Sequence, residues 1–324
     1  MGAERTPSPA RLRRLVDELA EDGFVLDGTD EWRSLLLAEL DYALRPTIHE
    51  RRVPSYGAII SPTTDPSGWD AASQLTITHQ ALGETPRAAA RLFADGLSSW
   101  LVRQPGLPNE LVVFDRPAGS ERDLVVLAEA LGGTIVQRHP AGVVRFVGDF
   151  GVLRWDGLGW HHEPPLSSWI DSLSVCAHHG DQDVLETLLE FAVHDLGSRG
   201  IGAILVYRTE DCEGPMPFEL RLPTPPPLQI SRPADLAPLR HVLAQVDGAA
   251  VFDRDGTLRQ LGVRLIPSAE AESDVEGYRG MRHTSGRRYS FDDRTSTVIV
   301  VSEDGPVTVL RKGVLLGSSP APTE

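Results

Sequence analysis

The sequence is poor in cysteine and in basic residues, and each shortage excludes a class of protein. Only two cysteines, Cys176 and Cys212, occur in 324 residues, and neither stands in a metal-ligand spacing. This argues against a disulfide framework or a structural zinc site and predicts two reduced thiols. Acidic residues outnumber basic ones by 46 to 31, for a net charge of −15. Such a balance argues against direct nucleic-acid binding and against a broad anionic-membrane surface.

Long apolar runs are also missing. No run approaches the roughly 18 apolar residues of a membrane-spanning helix, and the N-terminal segment lacks the apolar core of a secretory signal. We therefore expect a cytoplasmic protein without a membrane partner. A hydrophobic content of 41% and a charged content of 24% are ordinary for soluble globular domains. The length of the chain predicts two of them.

A proline-rich break, HHEPPLSSW at residues 161–169, is the predicted domain boundary. Before it, residues 1–160 alternate helical and strand patterns and predict an α/β domain of unassigned role, with regulation or sensing as one option. Helices are predicted around residues 12–19 and at 31–44, 85–101 and 123–131; strands are predicted at YGAII, ELVVFDR and TIVQR, with a hairpin or meander from GVVRFVG onward.

Residues 169–317 predict a second domain with a mixed β-sheet flanked by helices, preceded by the smaller α/β domain. Helices are predicted at 184–196, at 235–246 and from the RHTS segment; strands are predicted at IGAILVYR, on both sides of the turn DRDG, and at STVIVVS and VTVLRKG. Residues 318–324 are a predicted disordered tail.

Three short segments of the second domain carry residues suited to an anionic ligand. Asp247-Gly248-Ala249 joins a helix to a strand and offers a carboxylate beside a flexible backbone. Arg282-His283-Thr284-Ser285 offers phosphate-binding side chains at a helix start. Ser302-Glu303 ends a buried strand with a carboxylate suited to Mg²⁺. Each segment taken alone has a plain alternative: a capped turn, a surface Arg-His pair, or a solvated glutamate.

Taken together and in this order, the segments resemble a known family. Residues 170–316 are similar to the diadenylate cyclase (DAC) domain, the N-terminal nucleotide-binding domain of DisA-like bacterial proteins. The resemblance is carried by GIGAILVYR, ISRPADLAPLRHVLAQVDGAAVFD, GMRHTSGRR and VIVVSEDGPVTVLRKG. It covers a little under half of the chain. Residues 1–160 resemble neither the DNA-binding nor the transmembrane parts of the familiar cyclases.

The resemblance implies that two ATP molecules are joined into cyclic di-AMP, with Mg²⁺ or Mn²⁺, between facing sites of a homo-oligomer. It implies that Asp247 assists the attacking hydroxyl or binds metal, that Arg282 and His283 hold phosphates, and that Glu303 helps to bind the metal. The positions that it assigns to nucleotide contact are Gly248, Ala249, Leu265, Gly280, Met281, Thr284, Ser285 and Ser302.

Two departures from the family pattern leave an alternative open. The family segment Gly-Thr-Arg-His-Arg stands here as GMRHT, so Met281 removes a hydroxyl and Thr284 removes a guanidinium. Losing one charge-assisted phosphate contact costs on the order of 2 kcal/mol. Arg287 or Arg288, one helical turn further on, is a candidate replacement. The alternative function is a sensor that binds ATP or a cyclic dinucleotide without turning it over.

Other motifs of the sequence have simpler structural interpretations. The pairs His161-His162 and His178-His179 lack supporting ligands at metal spacing, and we interpret them as hydrogen-bonded or solvated histidines. DRDGT at residues 253–257 lacks the downstream ligands of a cation loop and predicts a hairpin turn.

Overall fold

The computed structural model describes residues 7–26, 28–46, 48, 53–61, 68–73, 75–83, 85–166, 182–209, 218–220, 222–278, 280–304 and 306–318. The chain divides into two compact units of nearly equal length, Met1–Pro165 and Leu166–Glu324. Each unit is a mixed β-sheet flanked by helices, which confirms the predicted α/β class. Both cysteines and the pair His178-His179 lie outside the described residues.

The N-terminal unit is built on an eight-stranded sheet of order β2-β4-β3-β1-β5-β6-β7-β8. Its strands are β1 Tyr56–Ile60, β2 Ile77–Ala81, β3 Ser99–Arg103, β4 Glu110–Phe114, β5 Thr134–Arg138, β6 Val144–Gly148, β7 Gly151–Trp155 and β8 Trp160–Glu163. Only β1 and β3 pair in parallel among these; the other pairings are antiparallel. Strands β6 to β8 form the meander predicted from GVVRFVG onward, and β5 is the strand predicted at TIVQR.

Helices cover both faces of this sheet. They are α1 Pro9–Glu21, α2 Asp30–Leu44, α3 Trp69–Ser73, α4 Arg87–Ala90 and α5 Glu121–Leu131. The side chains of α1 and α2 pack with Tyr56, Ala58 and Ile60 of β1. The apolar side of α5 packs instead with Ile59 of the same strand. This division follows from the alternation of side chains along a strand. A capping box between Ser120 and Asp123 fixes the start of α5.

The helix predicted at residues 85–101 is wrong. The helical segment ends by Phe93, and residues 99–103 form β3 instead. The carboxylate of Asp95 accepts the backbone N–H groups of residues 97, 98 and 99, which turns the chain. Gly96 has φ +71°, and a Cβ there would lie 2.3 Å from the carbonyl oxygen of Tyr56. The close approach of β1, a tertiary contact, overrides the alanine-rich helical pattern.

The C-terminal unit is built on a seven-stranded sheet of order β10-β12-β11-β9-β13-β14-β15. Its strands are β9 Ala203–Arg208, β10 Phe218–Glu219, β11 Ala249–Phe252, β12 Leu258–Leu265, β13 Ser296–Val301, β14 Val307–Arg311 and β15 Val314–Ser318. The hairpin turn predicted between β11 and β12 is confirmed. The pattern did not predict β15, which runs through Ser318.

Its helices are α6 Gln182–Glu190, α7 Pro233–Leu243, α8 Ala269–Asp274 and α9 Met281–Asp292. A π-helical segment, Phe191–Leu196, continues α6. Helices α6 and α7 pack on one face of the sheet and α9 on the other. Gly286 allows the approach of α9, because a Cβ there would lie 2.9 Å from a methyl group of Val300. In the described part of the chain, no helix is both long and apolar enough to span a membrane.

Candidate functional site

The three predicted ligand segments meet at one edge of the C-terminal sheet. Strands β9 and β11 run parallel, with Ala249 opposite Ile204. Strand β13 runs antiparallel to β9, with Val301 opposite Ala203. The residues just before β9 and β11 and those just after β13 therefore share an edge. Gly202, Asp247-Gly248 and Ser302-Glu303 occupy those positions.

An exposed ion pair joins two of these segments. The Nη1 of Arg282, in the first turn of α9, lies 2.9 Å from Oε1 of Glu303, and the two side chains are 39% and 66% exposed. Gly202 makes room for the pair: a Cβ there would lie 2.5 Å from Nη1 of Arg282 and 2.9 Å from Cγ of Glu303. An ion pair this exposed contributes little to stability, so a ligand can compete for either partner at small cost.

The start of α9 adds a second source of positive potential. Gly280 has φ +114° and, over the described residues, the helix has no side-chain cap. The first N–H groups of a helix have no partner within the helix, and its dipole places partial positive charge there. Next to Arg282, this terminus favours an anion such as a phosphate.

His283 is oriented into the protein rather than toward solvent. Its side chain is buried, its Nε2 lies 3.1 Å from the hydroxyl of Thr308 on β14, and its ring meets that of Tyr278 edge to face at 5.8 Å. The structure thus places His283 beneath the helix start, where it positions α9 against the sheet. A direct contact of His283 with a phosphate stays a prediction.

Thr284 braces the loop before the helix. Its hydroxyl accepts a hydrogen bond from the backbone N–H of Tyr278 at 3.0 Å and donates one to the carbonyl of Tyr278 at 3.3 Å. The position where the family carries an arginine is therefore used here to close a loop.

The two arginines further along α9 are directed to backbone carbonyls. Nε of Arg287 donates to Gly313 at 2.8 Å, and its Nη1 donates to Glu276 at 3.3 Å. Arg288 donates to the carbonyls of Val275 and Glu272. The idea that one of them replaces the missing phosphate-binding guanidinium is wrong in this structure, because both fasten α9 to neighbouring loops and turns.

The Asp247 segment combines an exposed acid with a packed backbone. Asp247 and Gly248 are exposed, and Gly248 has φ +107°. A Cβ on Gly248 would lie 2.7 Å from the backbone carbon of Gly262, so the packing of β12 by itself requires glycine here. Ala249 is completely buried in the core, and Leu265 is nearly so. A nucleotide therefore reaches these two residues only through their backbone atoms or after the surface around them rearranges.

The remaining predicted positions lie around the helix start. Met281 is 88% exposed, Ser285 is half-buried at the start of the second turn of α9, and Ser302 is half-buried. The N–H of Ser302 donates to the carbonyl of Pro306 at 2.9 Å, which closes the turn before β14.

The carboxylates do not form a metal cluster on their own. Across the described ranges, no group of three or more His, Cys, Asp or Glu side chains is arranged to hold a metal ion. Asp247 precedes β11 and Glu303 follows β13, and β9 lies between these two strands, so the two backbones stand about 10 Å apart. Two carboxylates of this kind suit Mg²⁺ or Mn²⁺ that arrives with nucleotide phosphates, because Mg²⁺ is commonly held by one or two carboxylates plus phosphate and water.

Sequence reasoning missed three residues that build this edge: Gly202, Tyr278 and Thr308. The signal for Gly202 is the Gly-Ile-Gly run before a buried strand, which marks a backbone close to another group. No local pattern marks Thr308 as the partner of His283, since 25 residues separate them. His161 and His162, by contrast, hydrogen-bond to Asp156 and to the carbonyl of Phe150, which confirms their plain interpretation.

No curated protein matches the chain. A solved structure described as a hypothetical membrane spanning protein from Bacillus cereus is 17% identical, over 41% of this chain and 66% of its own, with a TM-score of 0.34. That likeness is too low to carry an argument.

Two family models match separate parts of the chain. Residues 13–163 match the probable sensor domain DACNK. Residues 190–315 match the DisA bacterial checkpoint controller nucleotide-binding family, DAC, and contain every segment of the edge described above. Residues 190–315 are therefore assigned to the DAC nucleotide-binding family of DisA, and residues 13–163 to the family described as the probable sensor domain DACNK.

Proposed function

We propose that the C-terminal unit is a diadenylate cyclase that condenses two ATP molecules into cyclic di-AMP, acting as a cytoplasmic homo-oligomer. The observation that carries the proposal is the convergence of Asp247, the Arg282–Glu303 pair and the start of α9 on one sheet edge. The edge offers cationic and helix-terminal groups for phosphates, with an exposed carboxylate two strands away. Phosphoryl transfer needs mainly positioning and neutralised charge.

In this proposal Arg282 and the first N–H groups of α9 hold the phosphates of one ATP. Glu303 keeps Arg282 in place before the nucleotide binds. Asp247 accepts the proton of the 3′-hydroxyl supplied by the facing protomer. The new bond forms between that oxygen and the α-phosphorus, and the bond to the leaving pyrophosphate breaks. Two such transfers convert two ATP into one cyclic di-AMP and two pyrophosphates.

Mg²⁺ or Mn²⁺ fits the oxygen donors of Asp247 and Glu303, which would hold it together with the phosphates. When bound, the ion supplies neutralisation of phosphate charge. Within the protein, the Arg282–Glu303 contact at 2.9 Å shows that Glu303 is already used as an acceptor. Glu303 would then share its two carboxylate oxygens between Arg282 and the ion.

The test is cyclic di-AMP formation by the purified full chain with ATP and MnCl₂ or MgCl₂, followed by chromatography. We expect Asp247→Asn to abolish the product and Arg282→Gln to lower the rate by about 100-fold, as for other lost charge-stabilising groups. Asp255→Asn and Arg254→Gln are matched controls, because both lie in the turn at the opposite end of β11 and should leave the rate unchanged. Absence of product from the wild type with both metals over a range of protein concentrations would refute a cyclase.

A second function is favoured by one observation. Thr284, Arg287 and Arg288 all bond to backbone groups, so none of them contributes a cation to the edge. The alternative is a domain that binds ATP or a cyclic dinucleotide without turnover. Calorimetric titration with a non-hydrolysable ATP analogue and with cyclic di-AMP separates the two: binding that Arg282→Gln weakens, without product from ATP, supports the sensor.

A further inference from the structure

A buried charge cluster in the N-terminal unit goes beyond the proposed function. Glu39 of α2 is fully buried and accepts hydrogen bonds from three side chains: the hydroxyl of Tyr56 at 2.6 Å, Nε of Arg91 at 2.9 Å, and Nη1 of Arg103. Arg91 also donates to the carbonyl of Ala38 and stacks over the ring of Tyr42 at 4.3 Å. The side chains of this cluster are thus buried away from water and joined by several hydrogen bonds.

Arg103 is held in this cluster with incomplete charge compensation. It is 5% exposed, and its one carboxylate partner among the described residues is Glu39, which it shares with Arg91. Over the same residues, only its Nη1 donates a hydrogen bond to a side chain. A guanidinium carries five N–H donors. Burying a cation is costly unless it is paired and hydrogen-bonded.

Arg87 adds a further positive charge at the same place. It lies one helical turn before Arg91, is only half-buried, and makes no ion pair within the described part of the chain. Burial lowers the pKa of Arg103, and the nearby charges of Arg87 and Arg91 lower it further while Glu39 opposes them. Arg87 therefore adds positive charge near Arg103, and its half-buried side chain reaches solvent.

Among the described residues, the second buried network of the same unit is balanced in charge. Glu121 takes two hydrogen bonds from Arg154, and Arg145 lies 3.4 Å from it. Glu163 stands 3.9 Å from Arg154. Two carboxylates face two guanidiniums there. The Arg103 site has one carboxylate shared by two guanidiniums, with the positive charge of Arg87 nearby.

The cluster lies at the carboxyl ends of β1 and β3, the parallel strand pair of this sheet. Arg103 is the last residue of β3 and lies beside Ile60, the last residue of β1, its parallel neighbour. In open α/β sheets, ligands bind outside the carboxyl ends of parallel strands. Arginine pairs with phosphate and carboxylate groups through parallel N–H donors.

We propose that Arg103 and Arg87 bind the phosphate or carboxylate group of a small anionic ligand at the carboxyl end of β1 and β3. The ligand supplies the negative charge that Glu39 does not. The site lies wholly within the N-terminal unit, so the proposal stands or falls independently of cyclase activity.

The test is calorimetric titration of the full chain with sodium pyrophosphate and, separately, sodium citrate, each in buffer balanced with sodium chloride to equal ionic strength. We expect at least one probe to bind; the pyrophosphate and citrate arms tell whether a phosphate or a carboxylate is preferred. Arg103→Gln and Arg87→Gln should each weaken that binding by tenfold or more. Arg14→Gln, an exposed arginine on α1, is the matched control and should leave it unchanged.

Arg282→Gln separates this site from the nucleotide edge of the other unit, since binding at Arg103 survives that change. Arg87→Gln keeps the test valid if Arg103→Gln fails to fold, because Arg87 bears no hydrogen bond within the described network. The proposal is overturned if neither probe binds, if Arg282→Gln alone removes the binding, or if Arg87→Gln binds as tightly as Arg14→Gln.

Discussion

Carboxylates are used in opposite ways in the two units of this protein. Glu39, Glu121 and Glu163 of the N-terminal unit are buried and surrounded by arginines. Asp247 and Glu303 of the C-terminal unit are exposed at a sheet edge. A buried ion pair is strongly destabilised when one partner is removed, whereas an exposed pair contributes about 1 kcal/mol or less. Glu39 and Glu121, which accept hydrogen bonds from arginines, therefore contribute to the stability of the fold, whereas Asp247 and Glu303 are accessible to a ligand.

The largest effect on stability is expected from Glu39→Gln. The change leaves Arg91 and Arg103 facing a neutral amide in the core, and we expect the free energy of unfolding to fall by about 3–5 kcal/mol. Urea denaturation followed by circular dichroism measures it. Asp247→Asn makes the same kind of substitution at an exposed site and should change stability by less than about 0.5 kcal/mol. Equal losses of unfolding free energy in the two variants would contradict the difference between buried and exposed carboxylates.

An intermediate effect is expected from Glu163, and it depends on pH. Burial raises the pKa of Glu163 from 4.5 to about 7, aided by Glu121 and opposed by Arg154. The folded protein then binds more protons than the unfolded chain between these two values. This group's contribution therefore lowers stability as pH rises from about 4.5 to about 7, by about 3 kcal/mol at most.

Glu163→Gln should remove that pH dependence. We expect the variant to match the wild type near pH 5 and to exceed its free energy of unfolding by about 2 kcal/mol at pH 8. Urea denaturation at both pH values provides the measurement. Glu129→Gln, an exposed glutamate on α5, is the control with the same change of charge. A variant that is less stable than the wild type at pH 8 would show that the pair with Arg154 dominates over burial.

The smallest effect on stability is expected from Glu303→Gln. Its ion pair with Arg282 is exposed, so unfolding should change by about 1 kcal/mol or less. Its effect on ligand binding should be larger: about tenfold weaker binding of a non-hydrolysable ATP analogue with Mn²⁺, or about 1.4 kcal/mol. Glu270→Gln on α8 is the matched control. If Glu303→Gln destabilises the fold but leaves binding intact, this carboxylate resembles those of the N-terminal unit.

Much of the fold could be predicted from local patterns because the elements are locally consistent. Helix α2 begins with a Thr29 cap, and α5 lies between a capping box and a left-handed glycine. The prediction failed at residues 85–101, where Asp95 and Gly96 turn the chain against β1. It also missed β15, whose place depends on pairing with β14 rather than on its own periodicity.

The sequence by itself determined the α/β character of both units, the nucleotide-domain resemblance and the residue types at its ligand segments. These depend on periodicity, caps and short motifs, which act over a few residues. Only the tertiary structure decided which of these side chains are available to a ligand. Arg287 and Arg288 are neighbours of the motif in sequence, yet carbonyls of other loops hold both. Arg103 and Glu39 are 64 residues apart and share one buried site. Charge and residue spacing can be read from the sequence. The burial of a side chain and the identity of its partners are set only when distant segments pack together.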